Sequence, residues 1–290
     1  MGIAPASVSF LAFAKQAGVD FSLTVTIGRQ GWHSSEQGTA AALREFGFGP
    51  PPARTHFAEP LFHHLGANSV DAIDASAFEG ASIVQDMNVD LAPELRSRFT
   101  CVVDGGSAEH IFDVRTCFAN LLDLPVVGGH LLAMVPANNQ LGHGFYQFSP
   151  ELYFRTLSPA NGFEMMSAIL VESRLGQRRW YEVTDPEVAG HRITVSTMGE
   201  TELFVLARKT SDVGLISVPQ QSDYAREWTG GNTSRATRSQ RLRQTAFRVT
   251  RRLGPVLRDG RTAWGSASTT PGLKRVSLAD LAGRVTTTRV

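Results

Sequence analysis

Three aspartates lie at the ends of apolar segments whose composition is typical of β-strands, namely Asp74, Asp86 and Asp104. An acidic residue in such a position, well after a glycine-containing loop, can accept hydrogen bonds from both hydroxyls of a ribose. Asp86 is followed by Met87. A carboxylate beside an apolar side chain suits an adenine ring, which offers an exocyclic amine and two flat faces. The spacing therefore predicts a nucleoside site, with helix capping or turn formation as the alternative for Asp74.

Two glycine-containing segments follow strand-like runs and could bring the backbone close to a ligand. The first is GRQGW at 28–32, in which Gly28 and Gly31 allow a tight turn. The second is the pair Gly105 and Gly106, which follows the third of these aspartates. An ordinary turn is the alternative for the first segment, because two glycines alone are a weak signal.

The elements that must position these residues alternate along the chain between strand-like and helix-like patterns. Strand-like segments are predicted at 21–27, 69–74, 81–87, 100–106, 130–136, 162–173 and 201–210, and helix-like segments at 34–47, 57–67, 92–99, 108–123 and 149–157. This alternation predicts an α/β fold of Rossmann-like type, a three-layer sandwich with a mostly parallel sheet and helices on both faces. Ligands of such sheets bind outside the carboxyl ends of the strands, where the strand order reverses.

The composition is that of a folded globular chain. Of its 290 residues, 42% are apolar and 19% are charged, and the apolar runs are far shorter than the ~20 residues of a membrane-spanning helix. The amino-terminal apolar stretch has no preceding basic residue, which argues against a secretion signal. Cys101 and Cys117 are the two cysteines, and no CxxC or HExxH metal motif occurs. We therefore expect a reduced, cytoplasmic protein without a structural disulfide or a bound metal.

Charge is distributed unevenly along the chain. Residues 221–290 carry a net charge of +10 and residues 1–220 a net charge of −9. A basic segment of this kind could contact nucleic acid, another anionic partner or a membrane surface. No nucleic-acid motif is present. We therefore favour the alternative that the basic segment lies on the acidic body of the protein or is disordered. Residues 234–254 could form one basic helix, and three aromatic residues accompany the arginines, namely Trp228, Phe247 and Trp264.

Three stretches carry a resemblance to a known family. They are SVDAIDASAFEGASIVQDMN at 69–88, VVDGGSAEHIFD at 102–113 and GGHLLAMVPANNQLGHGFYQFSPELYFR at 128–155. The chain resembles the class I S-adenosylmethionine-dependent methyltransferases, in particular a bacterial branch with a degenerate first glycine motif. The resemblance implies a seven-stranded sheet whose last strand is antiparallel. It also implies an enzyme that transfers a methyl group from S-adenosylmethionine to oxygen or nitrogen of a small molecule, such as a sugar-like or secondary-metabolite acceptor in biosynthesis.

The same resemblance implies roles for the residues at the strand ends. Asp74 would bind the ribose hydroxyls, Asp86 the adenine amine, and Met87 would pack on the adenine ring. The segment from Asp104 through Gly105 to Gly106 would face the methionine half of the cofactor.

The first loop departs from the family pattern because Arg29 and Gln30 follow Gly28 inside it. We expect this loop to contact the cofactor, with Arg29 paired to the cofactor carboxylate through its guanidinium fork. The alternative is a salt bridge from Arg29 to a neighbouring helix.

Methyl transfer requires that the acceptor be held in line with the methyl group, and a base assists when the acceptor is a hydroxyl. Histidine titrates near neutral pH. His143 is our first candidate for this base because loops after the fifth strand wall the acceptor pocket in this fold, and His110 is the second. Tyr146 could orient the acceptor. The alternative is a structured loop whose side chains satisfy backbone groups.

We therefore place a Rossmann-like methyltransferase domain at 1–212 and a basic, partly flexible C-terminal extension at 213–290. Two other functions are left open. One is a cofactor-binding protein with other chemistry or none. The other is a non-enzymatic interaction module that uses its basic arm on polyanions. The oligomeric state is also left open.

Overall fold

The computed structural model describes residues 2–174, 176–229 and 271–287. The predicted basic helix at 234–254, with Phe247 and Trp264, lies outside the described residues. No helix in the described part of the chain is long and apolar enough to cross a membrane.

Strands and helices alternate through most of the described chain. In chain order they are β1 (Gly2–Ile3), α1 (Pro5–Gln16), β2 (Leu23–Ile27), β3 (Gly31–Trp32), α2 (Glu36–Glu45), α3 (Glu59–His64), β4 (Ser69–Asp74), β5 (Ile83–Val84), β6 (Phe99–Asp104), α4 (Val114–Asp123), β7 (Pro125–Asn138), α5 (Pro150–Thr156), β8 (Phe163–Arg174), β9 (Gln177–Val183), α6 (Pro186–Ala189), β10 (Glu200–Lys209), α7 (Ser222–Trp228), β11 (Leu273–Val276) and α8 (Leu278–Thr287). Single turns of 3-10 helix lie at Pro93–Leu95, Ala108–His110 and Pro159–Asn161.

The main sheet has the strand order β11-β9-β8-β10-β7-β6-β2-β4-β5. Strands β5, β4, β2, β6 and β7 run parallel to one another, and β10 runs antiparallel to both β7 and β8. The chain builds β2, β4 and β5 outward in one direction and then returns to place β6 on the other side of β2. The strand order therefore reverses between β2 and β6, and their carboxyl ends flank the position at which such sheets bind ligands.

The expected mostly parallel sheet is confirmed, but the expected count of seven strands is wrong. Described residues of the main sheet form nine strands. Strand β9 follows β8 through a tight turn that contains Gly176 in the left-handed region (φ 73°). Strand β11 then pairs with β9, with Leu273 opposite Val183. Both additional strands continue the sheet beyond β8, on the side away from β2.

Helices cover both faces of the sheet and complete the three layers. Helices α1, α2, α3 and α8 cover one face, and α4 and α5 cover the other. Neighbouring residues of a strand point to opposite faces, so that Cys101 packs on the first face and Val102 on the second. On the first face, the Phe204 ring lies 5.1 Å from that of Phe10.

The last described segment packs against the body of the protein. In α8, Leu278 and Leu281 are buried in the same core as α1. Residues 271–287 fall within the predicted extension 213–290. Within that segment β11 pairs with β9 and α8 packs on α1, while the boundary at residue 212 stays a prediction.

Local signals in the sequence explain several elements. Ser35 caps α2 by accepting a hydrogen bond from the Gly38 amide at 3.1 Å. The predicted strand 81–87 contracts to Ile83–Val84, since a turn follows at Asp86. Cys101 and Cys117 are buried free thiols and belong to the hydrophobic cores on the two faces of the sheet.

Candidate active site

The register of the parallel strands brings four strand ends to one level. Ile27 of β2 is aligned with Ile73 of β4 and with Asp104 of β6, while Asp74 is aligned with Val84 of β5. Adjacent strands lie about 4.8 Å apart, so these ends form a row of about 15 Å along the carboxyl edge. The predicted aspartates and glycine loops therefore lie on one edge of the sheet.

The crevice between β2 and β6 is filled by the side chain of Gln30. This residue is 3% exposed, and its Nε2 donates hydrogen bonds to the carbonyls of Ile27 at 2.7 Å and Gly28 at 3.2 Å. Its Oε1 is buried without a hydrogen-bond partner among the described residues. A Cβ placed on Gly105 would lie 2.3 Å from that oxygen, so position 105 must be glycine while Gln30 keeps this position.

Arg29 forms a salt bridge to a neighbouring helix, which was the alternative to a contact with the cofactor carboxylate. Its Nε donates to Oε1 of Glu59 in α3 at 2.6 Å, and its Nη1 donates to the Glu79 carbonyl at 2.9 Å. The guanidinium carbon also lies 3.8 Å from the ring centroid of Phe57. The guanidinium is thus already paired with a carboxylate of the protein.

Asp74 and Asp86 each use one oxygen in a local turn. Oδ1 of Asp74 accepts from the Ser76 amide at 3.3 Å. Oδ1 of Asp86 accepts from the backbone and side-chain amides of Asn88, both at 2.8 Å, and these bonds lower the pKa of Asp86. The neighbouring Met87 is buried in the core on the α4 face, so its side chain is not an exposed flap over a ligand.

The side chain of Asp104 points into the protein on the α4 face. Its Oδ1 accepts from the amides of Ser107 at 2.8 Å and Ala108 at 3.3 Å, and thereby holds the turn after β6. Full burial raises the pKa of Asp104 despite these hydrogen bonds. The contact of the segment from Asp104 to Gly106 with a cofactor stays a prediction, but alternation along β6 turns the Asp104 side chain toward the α4 face. The backbone of Gly105 and Gly106 remains at the edge.

A carboxylate and two imidazoles lie together beyond β6 and β7. Glu109 has a fully buried side chain, and burial together with the charge of Asp104 raises its pKa. Nε2 of His143 lies 3.2 Å from Glu109 Oε1, and Nε2 of His110 lies 4.0 Å from the same oxygen. The two imidazole rings are 5.0 Å apart, and burial and His143 together lower the pKa of His110. Both imidazoles are about half exposed.

The loop after β7 is tied to Glu109 through its backbone. The Phe145 amide donates to the Glu109 carbonyl at 2.7 Å. Gly144 adopts a left-handed conformation (φ 69°), and a Cβ there would lie 2.7 Å from the same carbonyl oxygen. A glycine at this position therefore permits the approach that brings His143 to Glu109.

Tyr146 stabilises this loop through its hydroxyl, which donates to the Phe112 carbonyl at 2.7 Å. Asn138 and Asn139 hold the opposite side of the loop through hydrogen bonds to Thr197. The contact of Tyr146 with a backbone carbonyl agrees with the structured-loop alternative for this side chain.

Sequence reasoning did not assign two features of this edge. Glu109 was not included among the site residues, although it stands directly before His110 in the sequence. Three apolar side chains are also exposed next to the histidines, namely Phe112, Leu141 and Phe145. The rings of Phe112 and Phe145 meet edge to face at 6.0 Å. We refer to these three residues as the apolar rim.

A cavity of about 570 Å³ begins at the same edge and continues along the α5 face of β8. Asn138, Phe148, Leu152, Leu170, Ile193 and Thr201 are among its lining residues. Arg155 and Arg192 also line it and are already paired, with Asp185 and Glu187 in one case and with Asp223 in the other. Its size is that of a pocket for a small molecule.

A scan against models of protein families and a search of curated protein sequences find no match. Among solved structures, N-methyltransferase NodS from Bradyrhizobium japonicum WM9 with S-adenosylhomocysteine is similar at 14% identity and a TM-score of 0.39, covering 71% of this chain and 86% of that one. A geranyl diphosphate methyltransferase with S-adenosylmethionine is similar at 12% identity and a TM-score of 0.40, covering 71% and 85%. The 1,6-didemethyltoxoflavin-N1-methyltransferase from Burkholderia thailandensis gives 16% identity and a TM-score of 0.34, covering 69% and 79%.

Proposed function

We propose that the protein transfers a methyl group from S-adenosylmethionine to oxygen or nitrogen of a small-molecule acceptor. The observation that carries this proposal is the strand order, which reverses between β2 and β6 and places the antiparallel β10 between β7 and β8. Asp74 and Asp86 lie on the edge that this order defines as the ligand edge.

The charge at this edge fits a cationic cofactor. Asp104 and Glu109 are both fully buried, and neither is paired with a lysine or arginine in the described part of the chain. The unpartnered Oε1 of Gln30 is a further acceptor in the crevice. S-adenosylmethionine carries a sulfonium and an ammonium group, and unpaired acceptors in a low-dielectric site favour positive charge.

We assign the cofactor contacts to residues of this edge. Asp74 would bind the ribose hydroxyls and Asp86 the adenine amine, each through the oxygen that its turn does not use. The backbone of Gly105 and Gly106, with Gln30, would border the methionine half. Arg29 is not assigned to the cofactor carboxylate, because Glu59 already pairs with it.

The bound cofactor supplies an electrophilic methyl group, and the chain supplies position and a proton acceptor. When Nε2–H of His143 donates to Glu109, Nδ1 is left as the acceptor nitrogen of the ring. The proton of an acceptor hydroxyl can then pass to Nδ1, while the buried carboxylate holds the ring and stabilises the imidazolium. The apolar rim and the cavity at the same edge favour an acceptor with an apolar portion.

Titration of the protein with S-adenosylhomocysteine tests this proposal. A ligand at 100 times its dissociation constant should stabilise the folded protein by about 2.7 kcal/mol. Asp74→Asn and Asp86→Asn should each weaken binding about tenfold, since a charge-assisted hydrogen bond contributes about 1.5 kcal/mol or more. Asp90→Asn is the matched control because Asp90 is an exposed carboxylate of the neighbouring loop. Binding that is absent, or that both variants leave unchanged, contradicts the proposal.

A second candidate is a protein that binds the cofactor but does not transfer the methyl group. The observation that favours it is the closed first loop, in which Gln30 fills the crevice and Arg29 pairs with Glu59. Binding of S-adenosylhomocysteine without labelled methyl transfer to any acceptor of a broad panel would support this candidate. The interaction module with a basic arm depends on residues outside the described part of the chain.

A further inference from the structure

The Glu109, His110 and His143 side chains offer three metal-ligand atoms that all lie within 4.8 Å of one another. Glu109 is held deep in the protein, with no exposed side-chain surface. Its Oε1 meets His143, while its Oε2 is buried without a hydrogen-bond partner in the ranges that the structure describes. A buried carboxylate oxygen without a partner costs free energy, so its position next to two imidazoles requires an explanation.

The separations match a first coordination sphere. Zinc binds nitrogen and carboxylate oxygen at about 2.0–2.2 Å, which places tetrahedral ligands roughly 3.3 Å apart. The distance from Glu109 Oε1 is 3.2 Å to Nε2 of His143 and 4.0 Å to Nε2 of His110. Rotation of the half-exposed His110 ring would close the longer distance. The tied loop backbone and the buried Glu109 need not move.

The surroundings leave room for an ion. A Cβ on Gly106 would lie 3.1 Å from Glu109 Oε1, and the glycine there leaves that side of the carboxylate open. The buried carboxylate of Asp104 interacts electrostatically with Glu109 and favours a cation. Neither carboxylate is paired with lysine or arginine within the described ranges.

We propose that Glu109, His110 and His143 bind one divalent transition metal ion of the zinc class. Two imidazole nitrogens and one carboxylate oxygen are the ligand set of catalytic rather than structural zinc sites, which keep an open coordination position. Here the exposed side of the imidazoles and the apolar rim border that position. The expectation from sequence that the protein binds no metal is revised by this proposal.

The role of the ion in methyl transfer rests on the proposed function, whereas its binding does not. In the metal-bound protein His143 is a ligand and no longer the base. A hydroxyl oxygen of the acceptor in the open position would have a lowered pKa, so its proton would pass to solvent more readily. In the metal-bound protein solvent would thus take the proton that His143 would take in the metal-free protein, and the ion would make this possible by lowering the pKa of the hydroxyl.

The test uses the full-length protein, stripped with a chelator and titrated with Zn²⁺ by calorimetry and with Co²⁺ by visible absorption. We expect saturation at one ion per chain and ligand-field bands of a low-coordinate Co²⁺ site. Loss of an outer partner of a metal ligand weakens binding about 10- to 100-fold, so loss of a ligand itself should weaken it at least as much. His143→Ala and Glu109→Gln should both show this loss. His191→Ala is the control, because His191 lies in the loop after α6.

Thermal unfolding of each variant shows whether it is folded. Because His143 is half exposed, its replacement should disturb folding less than replacement of the buried Glu109. Non-saturable binding, or equal binding in the wild type, His143→Ala and Glu109→Gln, overturns the metal proposal. S-adenosylhomocysteine titrated in parallel keeps the two proposals separate. Cofactor binding without metal binding overturns only the metal site, and metal binding without cofactor binding overturns only the methyltransferase proposal.

Discussion

Replacement of Gly105 by alanine should destabilise the protein through a single neighbour, the side chain of Gln30. The added Cβ would lie 2.3 Å from Oε1 and 2.7 Å from Cδ of Gln30. The backbone of Gly105 is not in the left-handed region, so alanine fits the chain conformation itself. The side chain of Gln30 must therefore move, and the cost of the substitution is the cost of that movement.

The magnitude follows from the contacts that Gln30 would lose. Its Nε2 donates to the carbonyls of Ile27 and Gly28, and each such bond contributes about 1 kcal/mol net. Alanine also reduces the conformational entropy of the unfolded chain, which stabilises the folded protein by about 0.4–1 kcal/mol where the backbone conformation permits alanine. We expect Gly105→Ala to lower the free energy of unfolding by about 1–2 kcal/mol, within the range for an overpacked site.

A double-mutant cycle isolates this interaction. In a Gln30→Ala background the obstacle is absent, so Gly105→Ala should be neutral or stabilising there, with a coupling energy of about 2 kcal/mol between the two positions. Urea denaturation of the four proteins measures it, provided that the m-value stays constant. An equal cost of Gly105→Ala in both backgrounds would refute the inferred packing of Gln30 in the crevice.

Three further predictions concern other parts of the molecule. Burial raises the pKa of Asp104 to about 6, above the value of 3.8 for an ordinary aspartate. The folded state thus binds the proton more tightly than the unfolded chain does, so the free energy of unfolding should fall as the pH rises through the folded-state pKa, and urea titrations at a series of pH values should show a smaller fall for Asp104→Asn. Leu281→Ala should lower the free energy of unfolding by about 2–5 kcal/mol, because the Leu281 side chain of α8 is buried in the core that also contains α1. An unchanged melting temperature would mean that α8 does not pack in this core. Ser35→Ala should lower the free energy of unfolding by about 1 kcal/mol, because α2 loses its N-terminal cap. Calorimetry measures this loss, and an unchanged stability would rule out the cap.

The regular elements were predictable where local pattern and tertiary environment agree. The strand at 69–74 has the bounds expected from its apolar and polar residues, and Ser35 begins α2 as its side chain predicts. The strands β9 and β11 were not predicted. Four of the seven residues of β9 are glutamine, arginine or glutamate, so its pattern is not that of a buried strand. Strand β9 pairs with β8 through a tight turn, but its second partner β11 is distant in sequence, and no local signal identifies that pairing.

The location of the candidate site was predictable, but most side-chain directions were not. Parallel strands share a carboxyl edge, and this placed Asp74, Asp86 and Gly105 together. The contact between Arg29 and Glu59 joins positions 30 residues apart, and that between Glu109 and His143 joins positions 34 apart. Local sequence does not encode such distances.

The direction of Asp104 depends on the phase of β6, which could have been deduced from the sequence. Cys101 and Val103 share one face, and Val102 and Asp104 therefore share the other. A position at the end of a strand is not equivalent to exposure at the edge of the sheet. A side chain at a strand end can instead point into the layer of helices, as that of Asp104 does.

Burial of Asp104 and Glu109 near the carboxyl edge of the sheet affects both the stability of the protein and its affinity for cations. Asp104 and Glu109 both have raised pKa values caused chiefly by burial, which means that each negative charge is destabilising in the folded protein. A cation at the edge would reverse this effect, since it stabilises the ionised form of both groups. If these acidic side chains bind a cation, Glu109→Gln should raise the free energy of unfolding of the ligand-free protein and lower its affinity for Zn²⁺. A variant that loses stability without any change in cation binding would show instead that Glu109 acts only by anchoring the loop after β7.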